Sequence, residues 1–314
     1  VALTRSAARR NSRPINTACR RVWYYTALHI DAPGRGRLLG GPAVSDERNA
    51  TVSWRQDFNH GLLALRVTPD AELPPFKPGH SAVLGQPGPA PRVNLAEPDE
   101  PPADPATLNK RAYSIASSSV AGDYLEFYVA LVRTGALTPR LFALREGDRV
   151  WLSRRAVGMF TLDDVTAGHD IAFVATGTGL APYISMLRSA YGFDAQRRTV
   201  VCHAARVSWD LGYRRELEGL AARYPDFHYL PIIDEIDRDP DWRGAVGFVN
   251  RFFTDGTVAG FFGHDLEPDR TSVFLCGNPA MIQSMEALLV ERGFKEHKRR
   301  DPGNIFTEKY WVEK

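Results

Sequence analysis

The order of hydrophobic and polar positions changes character partway along the chain. From Thr51 onward the apolar residues fall in short runs, largely alternating: Thr51–Trp54, Leu62–Val67, Ala82–Leu84, Tyr124–Val132 and Arg149–Leu152. Turn-forming pairs separate them, among them Pro69-Asp70, Pro78-Gly79 and Gly147-Asp148. Short strands at regular spacing with turn signals between them predict an antiparallel β-barrel or sandwich. The stretch Gly85–Asn109 breaks the pattern, holding seven of the 22 prolines, and is expected to be a surface excursion with neither strand nor helix.

Beyond about Gly168 the texture is different. Ile171–Ala175 is continuously apolar, as suits a strand covered on both faces of a parallel sheet. A glycine turn follows it, then helical spacing over Pro182–Tyr191. Thr199–His203, a helix around Arg215–Tyr224, Phe227–Ile233, Val273–Cys276 and a helix over Pro279–Arg292 continue the alternation. Strands alternating with helices predict a doubly wound α/β domain. The expected fold is therefore two-domain: an antiparallel β-barrel followed by an α/β domain with a doubly wound parallel sheet. The expected bounds are a basic arm at 1–44, the barrel at 45–166 with an insertion at 85–109, the α/β domain at 167–306 and a tail at 307–314.

Composition narrows the chemistry. The 314 residues are 44% hydrophobic and 24% charged, as in a globular chain, and no apolar run approaches the ~18 residues that a membrane span needs. Three cysteines, Cys19, Cys202 and Cys276, are too few for a disulfide framework, a four-cysteine zinc site or an iron–sulfur cluster. They point to a reducing compartment, and a cytoplasmic protein is expected. Any redox chemistry must then use a bound organic cofactor or none. The net charge of +2 conceals an asymmetry: residues 1–44 hold eight Arg and one acid, leaving 31 basic and 36 acidic residues for the rest. Such an arm fits nucleic-acid or membrane-surface contact, a targeting segment, or an N-terminus without function.

Two segments carry candidate chemistry. Val174-Ala175-Thr176-Gly177-Thr178-Gly179-Leu180-Ala181-Pro182 places glycines between a strand and a helix, where the backbone can approach a pyrophosphate and the helix N-terminus can meet its charge. It lacks the full dinucleotide fingerprint and, taken alone, also fits a tight turn without ligand. Arg111-Ala112-Tyr113-Ser114 offers a guanidinium for a diphosphate, an aromatic ring for a ring system and a hydroxyl for a ring nitrogen.

These segments occur in an order that resembles the bacterial-type ferredoxin/flavodoxin–NADP(+) reductases. The series runs Arg111-Ala112-Tyr113-Ser114, Leu125-Glu126-Phe127-Tyr128-Val129 and Gly135-Ala136-Leu137-Thr138-Pro139-Arg140. It continues with Ala175-Thr176-Gly177-Thr178-Gly179-Leu180-Ala181-Pro182-Tyr183, Cys202-His203-Ala204-Ala205-Arg206 and Leu275-Cys276-Gly277-Asn278-Pro279-Ala280-Met281, and closes on Glu308-Lys309-Tyr310-Trp311. The resemblance spans about Ala50–Trp311. It implies an FAD enzyme that moves electrons between NADP(H) and a one-electron carrier such as ferredoxin or flavodoxin, by hydride transfer between nicotinamide C4 and flavin N5.

The resemblance also implies site roles. Arg111 would meet the FAD pyrophosphate, with Ala112 and Tyr113 along the flavin and Ser114 at N5. Tyr128, Val129, Ala130 and Leu131 would line the isoalloxazine. Ala136, Leu137 and Thr138 would donate backbone N–H groups, and Thr178 would approach from the second domain. Tyr310 and Trp311 would cover the flavin or adenine, with Tyr310 moving aside for the nicotinamide. Cys276 would stand at nicotinamide C4, and Glu308 would join Ser114 in handling the N5 proton. Thr176, Gly177, Gly179, Ala205, Arg206, Gly277, Asn278 and Met281 would form the NAD(P) site.

One departure bears on the cofactor. The family places a basic residue after the strand corresponding to Phe227–Ile233, and another in a later Gly-Arg; here the chain reads Asp234-Glu235 and Gly247-Phe248. An acid repels a 2′-phosphate and accepts a bond from a 2′-hydroxyl. Relaxed or NADH-leaning specificity is expected, with Arg206, Arg214 and Arg215 as remaining phosphate partners. An acidic carrier calls for a basic surface, for which Lys295, Lys298, Arg299 and Arg300 are the first candidates and Arg154-Arg155 the second. The alternatives are a reductase component of an oxygenase, a partner-bound electron-transfer subunit, and a binding protein that uses the basic arm.

Overall fold

The structure, a computed structural model, describes residues 48–73, 75–189 and 197–309. The first half forms an antiparallel sheet from β1 (Ala50–Asn59), β2 (Leu62–Pro69), β3 (Ser81–Pro87), β4 (Leu108–Ser114) and β5 (Leu125–Ala130). A short helix α1 (Thr138–Ala143) leads into β6 (Arg149–Leu152). The strand order is β4-β3-β6-β1-β2-β5. A bridge between Ile115 and Phe127 brings the two ends of that order together, so the sheet rolls into a barrel. Its interior is filled by alternate residues of the strands, for example Leu63, Leu65 and Val67 of β2 and Leu125, Phe127 and Val129 of β5.

The Pro-rich stretch is shorter than its composition suggests. Gly85, Gln86 and Pro87 pair with Lys110, Asn109 and Leu108, so both flanks of Gly85–Asn109 are strand and the excursion proper is 88–107. Pro87 is the last residue of β3, a position where a missing N–H disturbs little of the ladder. The excursion is fastened by two arginines. Buried Arg140 donates to Gly88 O and pairs with Asp99, while Arg92 pairs with Asp99 and donates to Gly135 O at 3.1 Å.

The second half is a parallel sheet of β7 (Asp170–Thr176), β8 (Thr199–Ala205), β9 (Phe227–Ile233), β10 (Ala245–Val246), β11 (Thr271–Gly277) and β12 (Ile305–Lys309), in the order β10-β9-β8-β7-β11-β12. A 3₁₀ turn over Gly177–Leu180 and α2 (Ala181–Arg188) follow β7, and α3 (Arg214–Arg223) follows β8. Helices α4 (Arg251–Thr254) and α5 (Thr257–Phe262) precede β11, and α6 (Pro279–Val290) follows it. Both faces are covered, which explains the unbroken apolar run of β7. Ile171, Phe173 and Ala175 join the cluster with Tyr183 and Leu217, while Ala172 and Val174 join the opposite one with Ile282 and Met285. The expected tail boundary at 306/307 falls inside β12, whose residues 305–309 pair in register with β11.

Candidate functional site

The parallel sheet reverses its order between β7 and β11, the place where open α/β sheets bind ligands. Two glycine turns meet there. A Cβ on Gly179 would lie 2.2 Å from the Cys276 carbonyl oxygen, and one on Gly277, at φ +129°, would lie 2.2 Å from Thr176 Oγ1. Only glycine lets these backbones approach so closely. Thr176 Oγ1 accepts from Asn278 N at 2.7 Å, and Asn278 Oδ1 caps α6 by accepting from Ala280 N at 2.8 Å.

Barrel and sheet touch through a carboxylate. Glu308 on β12 pairs in register with Cys276 on β11, and its Oε2 accepts from Ser114 Oγ, the last residue of β4, at 2.9 Å. Cys276 Sγ lies 3.7 Å from the same oxygen and is fully buried. Burial pushes the Glu308 carboxyl above its ordinary value, and the bonds from Ser114 and Cys276 only partly oppose this. Ser114, Glu308 and Cys276 thus come together from three strands far apart in sequence.

Beside them, an open cavity of about 860 Å³ is lined by Thr176, Gly177, Thr178, Ala205, Arg206, Asp234, Gly277, Asn278 and Met281. Eight residues expected at the dinucleotide site therefore line one cavity, together with Thr178, which was expected at the flavin. Gly179 does not reach it because it is packed on Cys276, and Glu235 is turned to an ion pair with Arg238. Of the three candidate phosphate partners only Arg206 faces the cavity, with its side chain 68% exposed and 3.9 Å from Asp210. Arg214 lies over the Trp242 ring and pairs with Glu218 at 2.6 Å, and Arg215 sits on the same helix away from the cavity wall.

The flavin residues divide. Arg111 and Ala112 are exposed on β4, and the Arg111 guanidinium donates to Lys110 O at 2.7 Å. Burial pushes the Tyr113 phenol up, with Arg111 opposing. Ala130 and Leu131 line the cavity, but Tyr128 and Val129 do not. Val129 points into the barrel core, and the Tyr128 ring packs on Phe58 and Tyr213 with its hydroxyl against Gly212. Side-chain contact at those two positions with a ligand in the cavity is thus replaced by core packing, because strand alternation turns Val129 inward. Thr138 Oγ1 accepts from Val132 N at 2.9 Å and clasps the loop that carries Ala136; Leu137 is buried in the barrel core. Tyr310 and Trp311 lie outside the described residues, as does the arm at 1–44.

The residue types present fit both cofactors. The cavity has the backbone turns, hydroxyls and arginine that a dinucleotide needs, and β4 offers an exposed arginine strand ending at a Ser–Glu pair. Buried Asn109 Nδ2 on the same strand has no partner within the protein. Among the described residues no cluster of His, Cys, Asp or Glu could hold a metal ion, and no helix is long and apolar enough to cross a membrane.

Several wall residues escaped the sequence reading. Arg238 lines the cavity four residues beyond Asp234, and Trp209 stands at its rim 46% exposed, beside Phe248, 71% exposed, which the sequence had already singled out. Exposed aromatics in sequence were signals of a kind, but nothing local marks which cleft they border. Leu95 brings the Pro-rich excursion to the same cavity. The expected basic surface is partly neutralised: Lys295 pairs with Asp301, and Lys298 with Glu296 at 2.8 Å, leaving Arg299 and Arg300 exposed between α6 and β12.

Residues 173–287 match the model of the oxidoreductase NAD-binding domain. The chain is 33% identical over 269 residues to the flavodoxin/ferredoxin–NADP reductase of Escherichia coli (strain K12), covering 85% of this chain and 100% of that protein. It is 30% identical over 305 residues to DmpP, the reductase component of phenol 2-monooxygenase from Pseudomonas sp. (strain CF600), covering 96% of this chain and 76% of that one. Among solved structures, a ferredoxin NADP+ reductase from Neisseria gonorrhoeae with bound FAD and NADP superposes with a TM-score of 0.69 at 21% identity, over 84% of this chain and 98% of that one.

Proposed function

The chain belongs to the flavodoxin/ferredoxin–NADP reductase family, and from that premise we propose that it is an FAD-containing oxidoreductase passing electrons between a nicotinamide dinucleotide and a one-electron carrier, a ferredoxin or flavodoxin. The barrel holds FAD, and the α/β region, which runs through β12 to Lys309, holds the dinucleotide. The observation that carries this reading is the Ser114–Glu308–Cys276 contact, which joins the two at the sheet's switch point.

Bound FAD would supply the conversion between two-electron and one-electron transfer, which a nicotinamide cannot perform. The chain's own groups position and shield. Arg111 offers its fork to the pyrophosphate, and the N–H groups around Ala136 and Thr138 face the same charge. Glu308, its carboxyl raised above the ordinary value by burial, accepts from Ser114 Oγ and is placed to exchange a proton there. Cys276 is buried behind the glycine turns, whose missing side chains would leave room for a flat ring. Tyr310 acts as the gate.

At the adenosine end, Asp234 faces the cavity with Arg206, and Phe248 occupies the position of the second family arginine. An acid there favours a ribose 2′-hydroxyl, so NADH is used at least as well as NADPH. Arg238 is the counterweight, since it faces the cavity while tied to Glu235. The acidic carrier docks through Arg299 and Arg300 with Lys295 and Lys298, and Arg154-Arg155 forms the second basic surface. The match to an oxygenase reductase over 96% of the chain favours, as a second reading, a carrier that serves an oxygenase.

The test is an absorbance spectrum of the purified protein followed by anaerobic titration with NADH and NADPH in parallel. A flavin spectrum bleached by NADH as fast as by NADPH is the expected outcome. Bleaching by NADPH alone overturns the cofactor preference, and a colourless protein that takes up no FAD overturns the whole reading.

A further inference from the structure

A second contact between barrel and α/β region lies away from the ligand cavity and is built from charge. Glu126, on β5, is fully buried. Its Oε2 accepts from Arg66 Nε, the cross-strand neighbour on β2, at 2.8 Å. Its Oε1 accepts from Arg188 Nη1 at the end of α2 at 2.8 Å and from the Tyr213 hydroxyl at 2.7 Å. Arg188 in turn gives Nε and Nη2 to Glu216 of α3 at 2.7 and 2.8 Å, and Nη1 also to Ala116 O at 3.1 Å.

Two features mark this network as more than chance pairing. Tyr213 stands at φ +58°, the left-handed value that only this residue adopts among the described non-glycine residues, and its hydroxyl reaches Glu126 from that conformation. Arg66 is held between the rings of Trp54 and Tyr124, 4.5 Å from each. Burying such a network costs desolvation that well-packed apolar residues would avoid, so its stability gain alone is a weak reason to keep it. What it does supply is a defined geometry.

That geometry leads to the site. Helix α2 starts beside Thr178 and Gly179, and its far end is stapled to the segment that follows Ser114. Ser185 Oγ donates to Ser117 O at 2.7 Å, Ser119 N donates to Ser189 Oγ at 3.0 Å, and Arg188 reaches Ala116. The helix spans about 12 Å at ~1.5 Å per residue. We propose that the Glu126–Arg188–Tyr213 network is a positioning device, which locks α2 to the barrel and so sets the distance between the flavin strand and the dinucleotide turn. The inference rests on the proposed electron exchange between dinucleotide and FAD, and none of its residues touches either.

The test compares wild type with a variant in which Glu126→Leu, Arg188→Leu and Tyr213→Phe remove the network together, leaving the partly exposed Arg66 and Glu216 to water. Reduction by NADH or NADPH is followed by stopped flow, and amide hydrogen exchange is followed in apoprotein and holoprotein. The variant is expected to fold and take up FAD, with reduction slowed by about tenfold or more and exchange accelerated at 115–119 and 181–189. The single variant Arg188→Lys, with Glu126 in place and still paired to a cation, is expected to keep more of the rate than the triple variant. A folded variant with the wild-type rate overturns the inference, whether or not exchange is faster. Should the triple variant not fold, Tyr213→Phe is read in the same two ways, and an unchanged rate overturns the inference. If wild type takes up no FAD, the proposed function fails, and exchange in the apoprotein alone decides whether the network joins the two regions.

Discussion

At the scale of single residues, burial does most of the chemical work. Glu308 is held above the ordinary carboxyl range, so the folded protein keeps its proton to higher pH than an exposed glutamate would. The rate of reduction by the dinucleotide should therefore show an ionisation above 4.5 that Glu308→Gln abolishes; a pH profile from 4.5 to 9 checks it, with Ser114→Ala moving the same limb. His203 shows the opposite sign. Burial lowers it to about 3 while Nδ1 meets the Tyr229 hydroxyl at 3.1 Å. Because the unfolded chain binds a proton near 6.5 and the folded one does not, stability is complete above that value and is lost as pH falls toward 3. Between pH 7 and 5 this one group should cost about 2 kcal/mol, measurable by denaturant titration, and His203→Asn should flatten the slope. If Asp234 acts as proposed at the adenosine ribose, Asp234→Arg should raise the NADPH-to-NADH ratio of kcat/KM by about tenfold, as a charge-assisted bond is gained where repulsion stood.

At the scale of elements, the glycine turns are the decisive pieces. Gly179 has the Cys276 carbonyl where its Cβ would be, and backbone lies on both sides of the contact. Gly179→Ala must part β11 from the turn, at an expected loss of about 1–3 kcal/mol together with weaker dinucleotide binding, measured by calorimetry and by titration. Most strands were legible from their own residues. Phe227–Ile233 and Arg149–Leu152 have the same bounds in sequence and structure, because alternation or full burial is written into each position. Strand β4 was not legible as a strand: Leu108–Ser114 carries Asn109, Lys110 and Arg111 in succession with 110–112 exposed, so its pattern lacks the apolar alternation that marks half-buried strands. The two-residue β10 is too short for any periodic signal.

At the scale of the whole molecule, the surface decides the partner. Ion pairs within the 295–301 turn already engage both lysines, so the proposed recognition of an acidic carrier would fall more heavily on Arg299 and Arg300. Reduction of a ferredoxin or flavodoxin should slow as ionic strength rises. Arg299→Glu with Arg300→Glu should slow it further at low salt, while reduction of ferricyanide stays unchanged. A salt-independent rate would shift attention from charge to the exposed Val157 and Met159 beside Arg154-Arg155.

The sequence by itself determined the two-part architecture and the order of its motifs, because period, glycine turns and helix caps are local properties that each segment carries alone. It also showed that the chain reads Asp234-Glu235 and Gly247-Phe248 where the resemblance implies basic residues. Only the tertiary structure decided which of these meet. Glu308 touches Ser114 across 194 residues, Arg238 joins Asp234 at the cavity wall, and Glu126 gathers partners from β2, α2 and the turn before α3. Such meetings depend on sheet order and register, and a chain folded through a different crossover would place the same residues apart.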